Sequence, residues 1–409
     1  MRFCFLTTFY PPQNFGGDGI GIRRLARGLA AQGHHVTVVH DVDAFALLNP
    51  NGTPPPAPAD DVNVVPLHHP LGVLAPVLTQ QTGRPVANGA RIQRLLARGR
   101  FDVVVFNNIS LIGGPGLLSY APDAVTLYLA HEHWLVCPTH VLWRYDGQPC
   151  SERRCLHCTL AHHRPPQLWR YTGLLERQLD HVDAFVAMSE FSRTKHREFG
   201  FPRDMEVMPY FLPEREEPPA GVLPRPHQRP YFLFVGRLER IKGLDDVIPI
   251  FERYEQADLL VAGEGSEGAR LRALAAGNPR VHFLGRCEEQ HLHACYEHAV
   301  ATIVPSVGFE TFGITLIESF RQQTPVIARR LGPFPEIVER AGGGELFTTP
   351  DDLVAAMRRF QEDPAWRRDA GERAYQGYRQ HWTDTAVLPQ FLSIVSRARE
   401  RRHAACALS

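Results

Sequence analysis

Two glutamates, Glu310 and Glu318, stand eight residues apart in the stretch ATIVPSVGFETFGITLIESF that begins at Ala301. An apolar run, Ile303 and Val304, stops at Pro305-Ser306. A short loop then carries Glu310, and Phe312-Gly313-Ile314 opens a predicted helix that holds Glu318. At about 1.5 Å of rise per residue the carboxylates would lie roughly 12 Å apart along a helix axis, a span suited to the two ends of a nucleotide-sugar. The helix start between them offers unpaired N–H groups, a natural seat for a diphosphate.

Other residues could serve the same chemistry. In GRLERIKGLDDVI, from Gly236, Arg237 and Lys242 flank a short loop at a predicted strand-to-helix switch. Two cations there can neutralise a diphosphate without a metal, or they can be a plain surface pair. The loop PPQNFGGDG brings Gly16 and Gly17 ahead of a helical stripe, and GEGSEG does the same with Gly263. Glycine lets a backbone approach a ligand closely, so Gly16-Gly17 is either a phosphate or sugar contact or a simple turn. His131, in His131-Glu132-His133-Trp134, sits just past a predicted buried strand, where parallel α/β folds place ligands. Asp41-Val-Asp43 matches a metal-binding DxD in form, but it ends a second strand rather than lining a nucleotide loop.

Cys137, Cys150, Cys155 and Cys158 fall within 22 residues as C-x12-C-x4-C-x2-C, with His157, His162 and His163 nearby. The closing C-x2-C fits a structural zinc that staples a long loop. Unbound thiols and a redox or disulfide role are the alternatives. His131 and His133 belong to the strand end and not to that ligand set.

These residues need a framework, and the chain supplies one that alternates. Arg2–Thr7 reads as a strand, Ile20–Gln32 as a helix with Ile22, Leu25 and Leu29 on one stripe and Gly33 at its end, and His35–His40 as the next strand. Further strands are predicted at 102–106, 124–130, 184–187 and 206–208, with a helix at 174–179 and another after Ser189-Glu190-Phe191-Ser192. The pattern restarts with strands at 231–235, 259–262, 281–284, 301–304 and 325–328, and with helices at 244–250 and 269–276. Strand and helix in alternation predict an α/β protein of doubly wound parallel sheets. Residues 49–60 read as a Pro-rich surface insertion and 212–229 as a linker. The expected organisation is a domain at 1–211 with a Cys-rich insertion at 137–163, the linker, a second domain at 230–380, and a closing helix at 381–409.

Composition narrows the class. At 409 residues, 44% apolar and 22% charged, the chain has material for two cores. Lys+Arg and Asp+Glu both number 44, so no global charge points to nucleic acid. The N-terminal apolar run is too short for a signal peptide, and no window approaches the ~20 apolar residues of a spanning helix. Cytoplasm is the expected compartment, where eight cysteines favour thiols or metal ligands over a disulfide framework. The basic amphipathic tail at 385–402 admits a contact with the inner membrane surface, though a packed closing helix is the stronger expectation.

With these motifs in order, the chain resembles the family 4 retaining glycosyltransferases of the GT-B type. The matching segments are the PP…GG loop with L-A-x-x-L-x-x-x-G-H-x-V-T-V after it, His131, S-E-F-S, GRL…KG at 236–243 and GEG at 263–265. FLGR at 283–286, PS…ETFG…ES at 305–319 and PVIA…G…PEIV at 325–338 complete the series. The four-cysteine insertion is similar to one branch of that family. The resemblance implies two Rossmann-like domains facing across a cleft, with a UDP- or GDP-sugar held mainly by the second, and hexosyl transfer to a sugar or lipid-linked acceptor. It implies that Arg237 and Lys242 contact the diphosphate, Glu310 the transferred sugar and Glu318 the ribose. Backbone at Phe312, Gly313, Ile314, Gly16 and Gly17 would contribute, with Gly263 and Arg286 among the donor contacts and His131 beside the sugar. No cofactor is required, because front-face attack lets the leaving phosphate oxygen take the acceptor's proton. Two departures stand out: Tyr210-Phe211-Leu212-Pro213 replaces a small-residue linker, and GGGELF at 342–347 lacks the usual apolar ending. A sugar-nucleotide epimerase, a phosphorylase and a non-catalytic nucleotide-sugar binder are the competing readings. Retention of Glu310, Glu318, Arg237 and Lys242 argues against the last.

Overall fold

The computed structural model describes residues 1–50, 52, 54, 61–145, 147–214 and 224–408, so most of the predicted insertion at 49–60 and half of the predicted linker lie outside it. The chain forms two compact units: Met1–Val141 with Glu152–Tyr210 and Val387–Ser409, and Leu142–Ser151 with Phe211–Ala386.

The first unit is built on seven parallel strands: β1 (Arg2–Thr7), β2 (His35–Asp41), β3 (Asn63–Leu67), β4 (Val103–Asn107), β5 (Val125–Ala130), β6 (Ala184–Ala187) and β7 (Met205–Val207). β4 and β5 are buried along their whole length, as continuous apolar runs in a sheet covered on both faces should be. The order is β3-β2-β1-β4-β5-β6-β7, so the winding reverses between β1 and β4. That reversal is where an open α/β sheet leaves a crevice at its carboxyl edge. β3 was not predicted. It contains Pro66, which is tolerated because β3 is an edge strand.

Asp41 and Asp43 hold local structure. Asp41 caps the helix Val42–Leu48 by accepting from the Ala44 N–H at 3.0 Å, and Asp43 accepts from the His69 N–H at 2.8 Å and meets His68 Nδ1 at 2.6 Å.

The last helix, Asp384–Leu408, belongs to the first unit from Val387 onward. Val387, Leu388, Phe391, Ile394, Val395 and Ala398 are buried, and the Phe391 ring lies 6.0 Å from that of Phe3. Its arginines also find acids: Arg397 and Arg401 pair with Glu206, and Arg402 with Asp183. Each fully buried large side chain contributes about 1.5–3 kcal/mol, against ~0–1 for an exposed ion pair. The apolar stripe therefore holds the helix, and the arginines orient it.

The second unit carries six parallel strands: β8 (Tyr231–Val235), β9 (Asp258–Ala262), β10 (Val281–Gly285), β11 (Thr302–Val304), β12 (Val326–Arg329) and β13 (Gly344–Phe347), in the order β10-β9-β8-β11-β12-β13. Its winding reverses between β8 and β11. Phe232, Phe234, Phe251, Leu259, Val261 and Ile303 pack in the core beneath. The helix expected over 244–250 is α-helical only to Val247 and continues as a 3₁₀ turn, Ile248–Glu252, because Pro249 has no N–H to carry the α ladder forward.

Leu142–Ser151, placed by sequence within the first domain's insertion, groups with the second unit. It is a tight hairpin: Trp143 bridges Pro149, and the Arg144 N–H donates to Gln148 O at 2.8 Å. Trp143 packs over Gly308, where an added Cβ would meet the indole at 3.0 Å and Ile241 at 2.2 Å. That contact, invisible in sequence, packs the hairpin within the second unit.

Candidate active site

The chemistry-bearing residues of the second unit gather at the carboxyl ends of β8 and β11, on either side of its reversal point. Past β8 the chain turns at Gly236 and reaches Arg237 and Lys242. Past β11 it turns at Pro305-Ser306 and reaches Glu310. The two loops are fastened together by main chain. The Val307 N–H donates to Ile241 O at 2.9 Å, and Gly243 (φ +73°) lies so close to Pro305 that a Cβ would stand 2.2 Å from its carbonyl oxygen.

This fastening sets Lys242 against Glu310. Lys242 Nζ donates to Glu310 Oε1 at 2.7 Å, and Ser306 Oγ donates to the same oxygen at 2.6 Å. Both charged side chains are about three-quarters buried, with 24% and 22% exposed. Burial alone would raise the Glu310 carboxyl, but Lys242, Ser306 and Arg237 outweigh it and hold it below the ordinary glutamate range. Glu310 is thus a firm anion. Arg237 is half-exposed and rests on Glu239 at 2.7 Å.

The helix after Glu310 is Ile314–Arg321, so the axial rise applies only from Ile314 to Glu318, about 6 Å. Glu310 hangs on the preceding loop, which corrects the 12 Å helical separation expected from sequence. Gly313 (φ +120°) forms the N-cap without a side-chain hydrogen bond, and Phe312 is buried beneath. The Leu316 N–H returns to Gly313 O at 3.0 Å, and no side chain caps the helix start ahead of it. Glu318, in the second turn, accepts from the Tyr296 hydroxyl at 3.1 Å. Burial, together with the neighbouring Glu318 charge, pushes the Tyr296 phenol well above its usual value, so it remains a donor.

Gly236, Gly263 and Gly285 end β8, β9 and β10 side by side. A Cβ on Gly263 would stand 1.9 Å from Gly236 O, and the Gly263 N–H donates to Gly285 O at 2.7 Å. Gly263 therefore lets adjacent strand-end turns touch. Arg286 follows β10 on the same sheet edge and is exposed.

In the first unit, Gly16 caps the helix Gly17–Ala31 in extended conformation, and the Asn14 amide donates to Gly16 O at 2.6 Å. Asp18, in the helix's first turn, accepts from the Asn108 amide at 2.8 Å, and Asn108 lies just past β4. His131, one residue past β5, packs with Tyr210 at 4.6 Å between ring centres, both against Gly21. Burial drives the His131 imidazole down to about 3 despite a hydrogen bond to the Asp18 main chain, so at neutral pH it is uncharged. The structure therefore joins the Gly16-Gly17 loop, Asp18, Asn108 and His131 around one sheet edge.

Sequence reasoning missed Ser306, Tyr296, Asp18 and Asn108. Ser306 and Asp18 lie inside quoted motifs, but they carry roles only through partners that are far away in sequence.

The cysteines divide. Cys137, Cys155 and Cys158 belong to the first unit, where the Cys155 thiol is pushed up by burial, then by Cys137 and more weakly by Cys158. Cys150 belongs to the second unit's hairpin. None of the seven described cysteines forms a disulfide. The partly buried Arg170, stacked on Trp134 and Trp169, carries its charge beside Cys137 and Cys155. Among the described residues, the one group of three or more His, Cys, Asp or Glu whose ligating atoms lie within 4.8 Å of one another is His227, Asp258 and His282.

Comparison with known proteins bears on the fold and the family. Residues 15–213 match the model of Glycosyltransferase Family 4, and residues 219–377 that of Glycosyl transferases group 1. The chain is 26% identical to glycogen synthase of Mycobacterium tuberculosis, across 94% of this chain and 90% of that one. It is 29% identical to the D-rhamnosyltransferase WbpZ of Pseudomonas aeruginosa, over 52% of this chain and 59% of that one. Among solved structures it superposes on sucrose-phosphate synthase from Thermosynechococcus elongatus with a TM-score of 0.72 at 20% identity, covering all of both chains. It also superposes on Anabaena HepE in complex with UDP and glucose, with a TM-score of 0.67 at 17% identity over 97% and 99% of the two chains. The fold is GT-B. The chain is a glycosyltransferase and belongs to family 4.

Proposed function

We propose that this enzyme transfers a hexosyl group from a UDP- or GDP-sugar to a hydroxyl of a glycan, glycolipid or small-molecule acceptor, with retention of anomeric configuration and without a metal. The observation that carries the reading is the Lys242–Glu310–Ser306 cluster beside an uncapped helix start. Cleavage of a sugar–phosphate bond builds positive charge at the anomeric carbon and negative charge on the departing diphosphate. Lys242, Arg237 and the N–H groups at Ile314 supply fixed positive potential for the second. Glu310, held ionised, orients sugar hydroxyls and favours the first. Glu318, with Tyr296 as its donor, takes the ribose hydroxyls.

The acceptor oxygen attacks the anomeric carbon on the face the phosphate leaves. The C1–O bond to the diphosphate breaks as the new C1–O bond forms, and the acceptor's proton passes to the leaving phosphate oxygen. No side-chain nucleophile is consumed. His131, neutral in its buried place in the first unit, is proposed as a hydrogen-bonding group for the transfer. HepE's structures with UDP and UDP-glucose support a uracil nucleotide as the leading donor base. The glycogen synthase relative supports a glycan as acceptor.

A thermal-shift screen of UDP-, GDP- and ADP-sugars tests the donor half. The preferred donor raises the melting temperature by mass action, and Lys242→Ala loses that rise. Absence of any shift with all three nucleotide classes would refute it.

A further inference from the structure

A second cluster of titratable groups lies at the opposite edge of the second sheet and takes no part in sugar transfer. Asp258 opens β9 and is 3% exposed. His282 lies near the start of β10, in register with Leu260, so it shares a sheet face with Asp258 two residues earlier. His227 precedes β8 and closes over them. Both imidazole Nε2 atoms converge on one oxygen, Asp258 Oδ2, at 2.7 Å from His227 and 3.2 Å from His282, with the rings 4.7 Å apart. The other oxygen, Oδ1, accepts from Arg229 Nε at 3.0 Å, and Arg229 also donates to Glu255 O at 2.7 Å.

We propose that His227, Asp258 and His282 form a binding site for a divalent d-block cation of the zinc class, which ties the chain entering the second unit to β9 and β10. Two imidazoles and one carboxylate are a donor set that such ions accept, with a fourth position left to water. Tetrahedral bonds of ~2.0–2.1 Å separate ligand atoms by about 3.3 Å. The Asp258–His282 pair already stands at 3.2 Å, and the His227 contact needs to open by only about 0.6 Å from its 2.7 Å. Arg229 holds the carboxylate from its far side, as outer partners of metal ligands do, and leaves Oδ2 facing the imidazoles. His227 and His282 are 22% and 37% exposed, which gives an ion a route in, while Asp258 is sealed beneath them.

The site sits at the amino ends of strands whose carboxyl ends lead to Lys242 and Glu310. A five-residue strand separates those ends by about 16 Å. The ion is therefore a staple for the second unit and has no part in bond cleavage.

The test uses the full chain, stripped with chelator and titrated with ZnCl₂ and CoCl₂. Wild type should bind zinc with a rise in melting temperature. Cobalt should give visible d–d bands from an N/O site, separable from the near-ultraviolet sulfur-to-cobalt band that any cysteine site would show. His282→Gln and His227→Gln, at partly exposed positions, should each weaken this binding by about 100-fold or more with the cysteines intact. Turnover of the stripped enzyme should match that of the loaded one. Unchanged zinc affinity and unchanged d–d bands in both variants, or cobalt spectra from thiolate ligands alone, would overturn the proposal.

Discussion

Glu310 accepts two short hydrogen bonds on one oxygen, from Lys242 and Ser306, so its charge and direction are set before any ligand arrives. Such preorganisation is what a site stabilising separated charge requires. Glu310→Ala and Lys242→Ala should each lower kcat/KM by ~10²–10³ or more. The pair is about three-quarters buried, so removing one partner should also lower the melting temperature, and turnover is therefore read below the variant's melt. Near-normal turnover in either variant, measured beside its circular-dichroism melt, would refute the assignment. Ser306→Ala removes one of the two donors and should cost about 10-fold in kcat/KM, the worth of a hydrogen bond to a charged group. At this scale the sequence exposed the charged residues, because Arg, Lys and Glu at a strand-to-helix switch announce anion chemistry by type. Ser306, Tyr296, Asp18 and Asn108 stayed hidden, since an ordinary polar residue becomes part of a site only through a neighbour that folding brings to it.

The elements that hold these residues depend on close main-chain approach at strand ends. Gly263 has φ +140°, and a Cβ there would stand 1.9 Å from Gly236 O. Gly263→Ala should therefore destabilise the second unit by about 3 kcal/mol, read as a lower urea midpoint with unchanged m-value. An unchanged midpoint would show that the turns do not pack as described. Strands with continuous apolar runs, such as β4, β5 and β8, were legible because nothing else in the sequence resembles them. β3 was not, as Pro66 masks an edge strand, and the α-helix from Leu244 gives way to a 3₁₀ turn at Ile248–Glu252, where Pro249 lacks an N–H. The helices Pro350–Glu362 and Pro364–His381 were missed, although Thr349 and Asp352 form a capping box at the head of the first. The hairpin 142–151 could not have been placed, since its unit is decided by Trp143 on Gly308.

Across the whole molecule, charge is unevenly stored. His40, His131, His133 and His196 are buried in the first unit. Burial drives His131 down to about 3 and His40 and His196 to about 4, and takes His133 well below its ordinary value of 6.5. The folded unit keeps these rings neutral, whereas the unfolded chain protonates them below pH ~6.5. Their contribution is present above that pH and is lost as pH falls toward 4. Asp41, raised by burial to about 6, works in the opposite sense and offsets roughly one proton between pH 6 and 4. The net of about three protons should cost on the order of 4 kcal/mol per pH unit just below pH 6. Hydrogen exchange should show the first unit opening before the second on acidification, and equal protection at pH 7 and 5 would contradict this. None of the described helices is long and apolar enough to cross a membrane. Glu310 is proposed to serve sugar transfer from a nucleoside-diphosphate sugar. That role is tested most directly by incubating wild type and Glu310→Ala with the preferred nucleotide-sugar and acceptor, and following the glycosylated product and its anomeric configuration by mass spectrometry and NMR. The expected result is a product of retained configuration, one nucleoside diphosphate released per sugar transferred, and loss of both in the variant. An inverted product, or equal product from Glu310→Ala, would contradict it.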